Sequence, residues 1–153
     1  MEIEINNLYD QLTDPAGSVV AVCEALMRSE RYALTGDELS IAFVSDKEIG
    51  KIHADFMNDP AATDVITFPA DASMGSAGEI IVSVDHARTR CGEHGQSFSE
   101  ELQLYLIHGW LHLLGYDDRS DGDRKKMRKA ENELCEYLVA SDAKADFTLD
   151  PDA

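Results

Sequence analysis

Between Ser97 and Gly115 the chain reads SFSEELQLYLIHGWLHLLG, and few folds can accommodate such a stretch. Ser97 followed three residues later by Glu100 is a capping box, which starts a helix. Along that helix Leu102, Leu104, Tyr105, Leu106, Ile107, Trp110, Leu111, Leu113 and Leu114 point in almost every direction. A helix that is apolar all round has no face to offer water and must be covered on most sides. Gly115 supplies a residue that can take positive φ where the helix stops. The remaining elements therefore have to wrap this one.

Those elements are short and alternate in type. Ile3 to Asn6 is a brief strand, and TDP at 13–15 opens a helix with Asp14 as N-cap and Pro15 in its first turn, running to about Tyr32. Glu38 to Val44 is a strand. Ser45 with Glu48 forms another capping box, for a helix ending before the NDP turn at 58–60. The β-branched and aromatic DVITFP at 64–69 is a strand stopped by Pro69; PADASMGSAG is a loop; EIIVS at 79–83 is a further strand. Ser83 caps a helix through about His94, and a last helix runs from about Asp121 to Ala140. The expected fold is α+β: a mixed four-stranded sheet covered by about five helices, with the 97–114 helix central and buried. Residues 1–141 are expected to form one domain, and the acidic tail SDAKADFTLDPDA, from about 142 to 153, to fray.

Composition narrows the setting. No apolar run approaches the roughly 18 residues that cross a bilayer, and MEIEINNLYDQ has neither the basic start nor the apolar stretch of a signal peptide, so a cytoplasmic location without membrane contact is expected. Cys23, Cys91 and Cys135 are odd in number, far apart and in no C-x-x-C arrangement, which argues against a disulfide framework or a thiolate metal cage. The formal charge is −17, a field that repels phosphate. Yet Arg119, Arg124, Lys125, Lys126, Arg128 and Lys129 place six of the 13 cationic residues within eleven positions, directly after the buried helix. Such a run is either a solvated helix face or a patch that steers anions.

The chemistry lies in HGWLHLLGYDD, residues 108–118. Histidines at i and i+4 share one helix face, so His108 and His112 present two imidazoles to one point. Gly115 lets the chain turn back, which returns Asp118 toward them; Asp117 is the alternative third residue. Two imidazoles and a carboxylate suit zinc and leave a fourth position for water. Zinc proteases with similar histidine spacing place a glutamate after the first histidine as general base. Gly109 stands there and cannot take a proton, which argues against peptide hydrolysis by that route. His53, His86 and His94 are expected on helix surfaces. Asp64 can cap a strand end or orient a water, and Glu101 lies on the His108 face two turns away.

HGWLHLLGYDD resembles the HGxLHLxGYDH signature of the YbeY family; TDVITFP at 63–69 is similar to that family's PTDVLSFP, and GEIIVS at 78–83 to its GDIxIS. The resemblance covers roughly Leu39 to Leu138. It implies a cytoplasmic metal-binding protein that hydrolyses single-stranded RNA, takes part in 3′-end maturation of 16S ribosomal RNA and in ribosome quality control, and meets the small ribosomal subunit. Carried over by position, the metal ligands are His108, His112 and Asp118, holding one divalent ion, zinc by preference; no organic cofactor is implied and no catalytic residue is assigned.

Two departures qualify what the resemblance implies. The usual third ligand is a histidine, and Asp118 in its place lowers the charge of the site by one, weakening the ion as a Lewis acid. Where the family commonly reads NxxYRxxDxPTDV, this chain reads HADFMNDPAATDV, putting Met57 at the arginine position and His53 at the asparagine position. A guanidinium there could clamp a phosphate and a thioether cannot; Arg88, Arg119 or the basic run would have to supply the charge. Two functions compete: a metal-dependent endoribonuclease, and a ribosome-assembly factor of little or no catalytic power with a structural ion, whose acidic body suits a basic ribosomal protein.

Overall fold

The computed structural model describes residues 1–59, 63–69, 73 and 75–151. Its elements run β1 (Glu2–Asn7), α1 (Ala16–Arg28), a 3₁₀ turn (Glu30–Tyr32), β2 (Glu38–Val44), α2 (Asp46–Met57), β3 (Val65–Phe68), β4 (Ser76–Ser83), α3 (Val84–Arg90), α4 (Phe98–Leu113) and α5 (Asp121–Ala140). The four strands form one mixed sheet in the order β1-β2-β4-β3, with β1, β2 and β4 parallel and β3 antiparallel to β4. This is the α+β architecture expected. Among the described residues no helix is long and apolar enough to cross a membrane.

Period-two alternation in the strands divides the core between the two sheet faces. Leu39, Ile41 and Phe43 of β2, with Ile80 and Val82 of β4, enter the larger cluster with α1, α4 and α5. Their neighbours Ala42, Val44 and Ile81 enter a smaller one closed by Ile49 and Ile52 of α2. The α4 helix lies on the larger side with Leu102, Ile107, Trp110 and Leu111 at most 1% exposed. Trp110 donates its indole N–H to the Tyr32 carbonyl at 2.7 Å, which satisfies its one polar atom.

Both capping boxes form as their sequences require, Ser45 with Glu48 and Ser97 with Glu100. Where the structure differs from expectation the reasons are local. The first helix gives way at Ser29 to the 3₁₀ turn, and its N-cap is Pro15, with Asp14 accepting from the Ala16 N–H at 3.3 Å. The β4 strand begins three residues earlier than expected, because Ser76 to Gly78 pair with β2 across a bulge at Glu38/Leu39. The α3 helix stops at Arg90, and 91–95 form turns in which Gly95 takes φ +66°, so His94 is not helical. Pro60 of the NDP turn and most of 70–74 lie outside the described residues. Cys23 is buried and Cys91 and Cys135 half-buried, all as free thiols; burial pushes the Cys23 thiol up to about 12, which makes it unreactive.

The C-terminal segment corrects the sequence reading most. Far from fraying, 143–149 lies against the body with Ala143, Ala145 and Phe147 buried. The amide of Ala145 donates to Gln103 Oε1 at 2.7 Å and that of Phe147 to Ser99 Oγ at 2.8 Å, so two polar side chains of α4 anchor it. Leu149 bridges to Leu12, and the Phe147 ring meets Phe43 at 5.8 Å.

Candidate metal centre

At the C-terminal end of α4 the two imidazoles meet. His112 Nε2 lies 3.0 Å from His108 Nε2, and Asp118 Oδ2 lies 3.6 Å from the first histidine and 3.7 Å from the second. Gly115 takes φ +102°, a conformation that side chains disfavour, and this turns the chain so that Asp118 returns to the histidine face. Of the two candidate acids, Asp117 is spent elsewhere: it accepts the Asp118 N–H at 2.8 Å and pairs with Arg119 at 3.4 Å.

These donors fit a divalent ion. A point equidistant from three atoms so spaced lies about 2 Å from each, the length of zinc bonds to imidazole nitrogen and carboxylate oxygen. His108, His112 and Asp118 are a group of donors that could hold a metal ion. A residue of α5 completes the arrangement. Glu131 Oε2 lies 3.4 Å from His108 Nδ1. A proton held on Nδ1 by that carboxylate leaves the Nε2 lone pair facing Asp118 and His112, the tautomer a metal ligand requires. Burial of the His108 ring works against its charged form, but the hydrogen bond and charge of Glu131, with Asp64 and Asp118 adding to them, outweigh it and hold its pKa above the ordinary value. The field at the cluster therefore favours positive charge.

Glu131 belongs to none of the sequence motifs that mark the other three residues. It lies 23 residues beyond His108 within a run of mixed charges, and only the packing of α5 on α4 brings it there. Its place on the helix at Met127 plus four, beside the buried stripe Met127, Ala130, Leu134 and Leu138, was the available signal.

Gly109 has a role in packing. A Cβ built on it would come within 2.7 Å of Ile80 Cγ2 and 3.3 Å of both Thr67 Cγ2 and Val65 Cγ2. The α4 helix thus rests on β3 and β4 at this residue, and no glutamate could stand there. Gly109→Ala is expected to destabilise the chain by about 1–2 kcal/mol, since overpacking costs about 1–3 kcal/mol and the better helix propensity of alanine returns at most about 1 kcal/mol. Urea denaturation measures this; a variant as stable as wild type would show that the approach is not tight.

The other candidates separate. Asp64 caps β3, accepting from the Val65 N–H at 2.8 Å and the Thr63 hydroxyl at 3.2 Å, while its charge reaches His108. Glu101 is fully buried and bound by Tyr105 OH and by His94 Nδ1, each at 2.8 Å, rather than by the histidines of the cluster. His86 packs on the Tyr105 ring, and His53 is half-buried on α2. Met57, the last residue of α2, is 48% exposed. Arg88 donates to Tyr9 OH at 2.9 Å and to Gln11, so it is not the spare cation. Arg124, from the basic run, donates to the Asp118 carbonyl at 3.2 Å and pairs with Asp121.

A mixed sheet backed by a buried helix, with two histidines and a carboxylate converging at that helix's end, defines an α+β protein carrying a group of donors that could hold a metal ion. The chain belongs to the family of Endoribonuclease YbeY, whose family model matches residues 4–139. That match reaches well before Leu39, where the motif resemblance starts. Endoribonuclease YbeY of Halalkalibacterium halodurans is 32% identical over 150 residues, covering 88% of this chain and 93% of that protein. Its counterpart in Protochlamydia amoebophila is 36% identical over 133 residues, covering 84% and 87%. The solution structure of TM1509 from Thermotoga maritima is similar over 94% of this chain and 96% of that one, with a TM-score of 0.59 and 25% identity.

Proposed function

We infer that the protein is a metal-dependent endoribonuclease acting on single-stranded RNA, with zinc held by His108, His112 and Asp118, and that it works in the cytoplasm on the 3′ end of 16S ribosomal RNA and in ribosome quality control, in contact with the small subunit. The observation that carries this reading is the convergence of the three donors with Glu131 behind His108, in a chain whose relatives are named endoribonucleases. A bound ion would supply Lewis acidity at a phosphodiester. The chain's own residues do the rest. Glu131 keeps the His108 proton on Nδ1, Gly115 and Arg124 hold the Asp118 loop, and Asp64 and Glu131 add negative charge that favours a cation. Residues 1–141 and the docked tail act in this reading as one unit.

The test is cleavage of an unstructured RNA by protein purified without added metal, before and after chelation and zinc readdition. Loss on chelation and recovery with zinc are expected; cleavage indifferent to chelator would refute metal dependence. A second reading, an assembly factor with a structural ion, draws on Met57, an exposed thioether where the family commonly has arginine. It predicts metal at one per chain, no cleavage with any ion, and a chelator-induced drop in melting temperature.

Glu131 offers a finer check. Glu131→Gln is expected to weaken zinc binding by about tenfold and Glu131→Ala by up to about a hundredfold, the range for residues that orient a ligating histidine. Competition against a chromophoric chelator reads this, and equal affinities would show that Glu131 does not support the site.

A further inference from the structure

The basic run is not spread evenly around α5. Lys126, Lys129 and Glu133 follow one another at i, i+3 and i+7 and share one stripe of the helix, whereas Glu131, two residues from both Lys129 and Glu133, faces His108 from another side. The stripe lines a cavity of about 250 Å³ closed by Arg31, Tyr116 and Ala130. Tyr116 is half-buried against the Tyr32 ring at 6.4 Å, and Arg31 stacks over Tyr32 at 5.2 Å. The one carboxylate present, Glu133, is engaged: it accepts Tyr32 OH at 2.7 Å and pairs with Arg31 at 3.2 Å. That hydrogen bond holds the Glu133 carboxyl below its ordinary pKa, with the charges of Arg31 and then Lys129 acting in the same direction. Lys126 and Lys129 are exposed and form no salt bridge among the described residues. In a chain of formal charge −17, an aromatic wall beside two exposed ammonium groups held in no salt bridge, one of them in the field of Glu133, is an arrangement of opposite sign to the chain as a whole.

We propose that this cavity is a nucleotide subsite for the RNA strand, with a base against Tyr116 and its phosphate held by Lys126 and Lys129. The assignment rests on the single-stranded RNA reading above and extends it by naming where the strand runs beyond the cluster. The turn 115–118 links the two places, since it carries Tyr116 in the cavity and Asp118 at the histidines. Aromatic faces combined with a cationic groove bind single strands with little sequence preference, because every base has a face to stack. An acidic peptide would use the lysines and leave Tyr116 idle.

The test is fluorescence anisotropy of a labelled oligouridine with the whole protein, under chelation so that nothing is cleaved, over a series of salt concentrations. Each lost phosphate contact on a single strand reduces the slope of log affinity against log salt by about 0.7, so Lys126→Ala/Lys129→Ala should flatten it by about 1.4 and weaken binding at least about tenfold at 0.1 M salt. Lys47→Ala/Lys51→Ala removes the same charge from exposed positions on α2, across the sheet, and should bind as wild type does. Melting temperatures should be unchanged in both. If the α5 pair binds as wild type, or the α2 pair loses as much, the subsite is overturned while RNA binding stands. If wild type binds no oligouridine at any salt concentration, the subsite and the RNA reading fall together.

Discussion

Replacing His108 with alanine is expected to abolish RNA cleavage and bring the zinc content of the purified protein from one per chain to background. Two remaining donors, one of them a carboxylate on a 47% exposed side chain, cannot hold an ion against competing buffer. The same change leaves Glu131, a side chain only 15% exposed, without its imidazole partner. A fully buried group that loses its partner costs about 1–3 kcal/mol, so for this half-buried carboxylate a loss at or below the lower end of that range should accompany the functional one. Elemental analysis and a cleavage assay on one preparation decide the matter. Retained zinc with lost cleavage would move the metal away from His108 and give the imidazole a different role; retained cleavage would remove the cluster from the chemistry.

Phe147→Ala is the second large effect, and it tests the tail. The ring is 4% exposed and packs against Phe43 at 5.8 Å in the main cluster. Truncating a buried phenylalanine costs about 3–5 kcal/mol through lost transfer energy and the cavity left behind, and for a chain of this size 3 kcal/mol corresponds to roughly 10 °C in melting temperature. Asp146→Ala, next to it on the exposed side, should stay within about 0.5 kcal/mol of wild type. Thermal melts of the pair give the answer. Equal melting temperatures would mean that the segment contributes nothing and frays in solution.

The tail shows how a legible signal was outweighed. Residues 142–148 alternate exposed and buried as Asp142, Ala143, Lys144, Ala145, Asp146, Phe147 and Thr148. That is the period of two of an extended segment with one face on a core. The acidic count points toward disorder, although within 142–148 the acids occupy only the outward positions. The acceptors and donors that fix the segment, Ser99 and Gln103, look in sequence like stray polar residues on an apolar helix.

What could be read along the chain was local. The two capping boxes, the strand at 38–44, the last helix at 121–140 and the burial of α4 all stand as expected, because capping, periodicity and turn chemistry depend on residues a few positions apart. The pairing of His108 with His112 is likewise local, and the positive φ at Gly115 gave the return of Asp118 a cause within the same stretch. Tertiary structure alone decided that Glu131 from α5 stands behind His108, that Arg88 is drawn to Tyr9 and Gln11, and that Gly109 meets Ile80 of β4. Each of those contacts joins elements whose adjacency follows from strand order and helix packing, and no spacing along the chain encodes it. A group of donors that could hold a metal ion is thus legible from one helix and its turn, whereas the field and packing around it come from residues brought in by the rest of the fold.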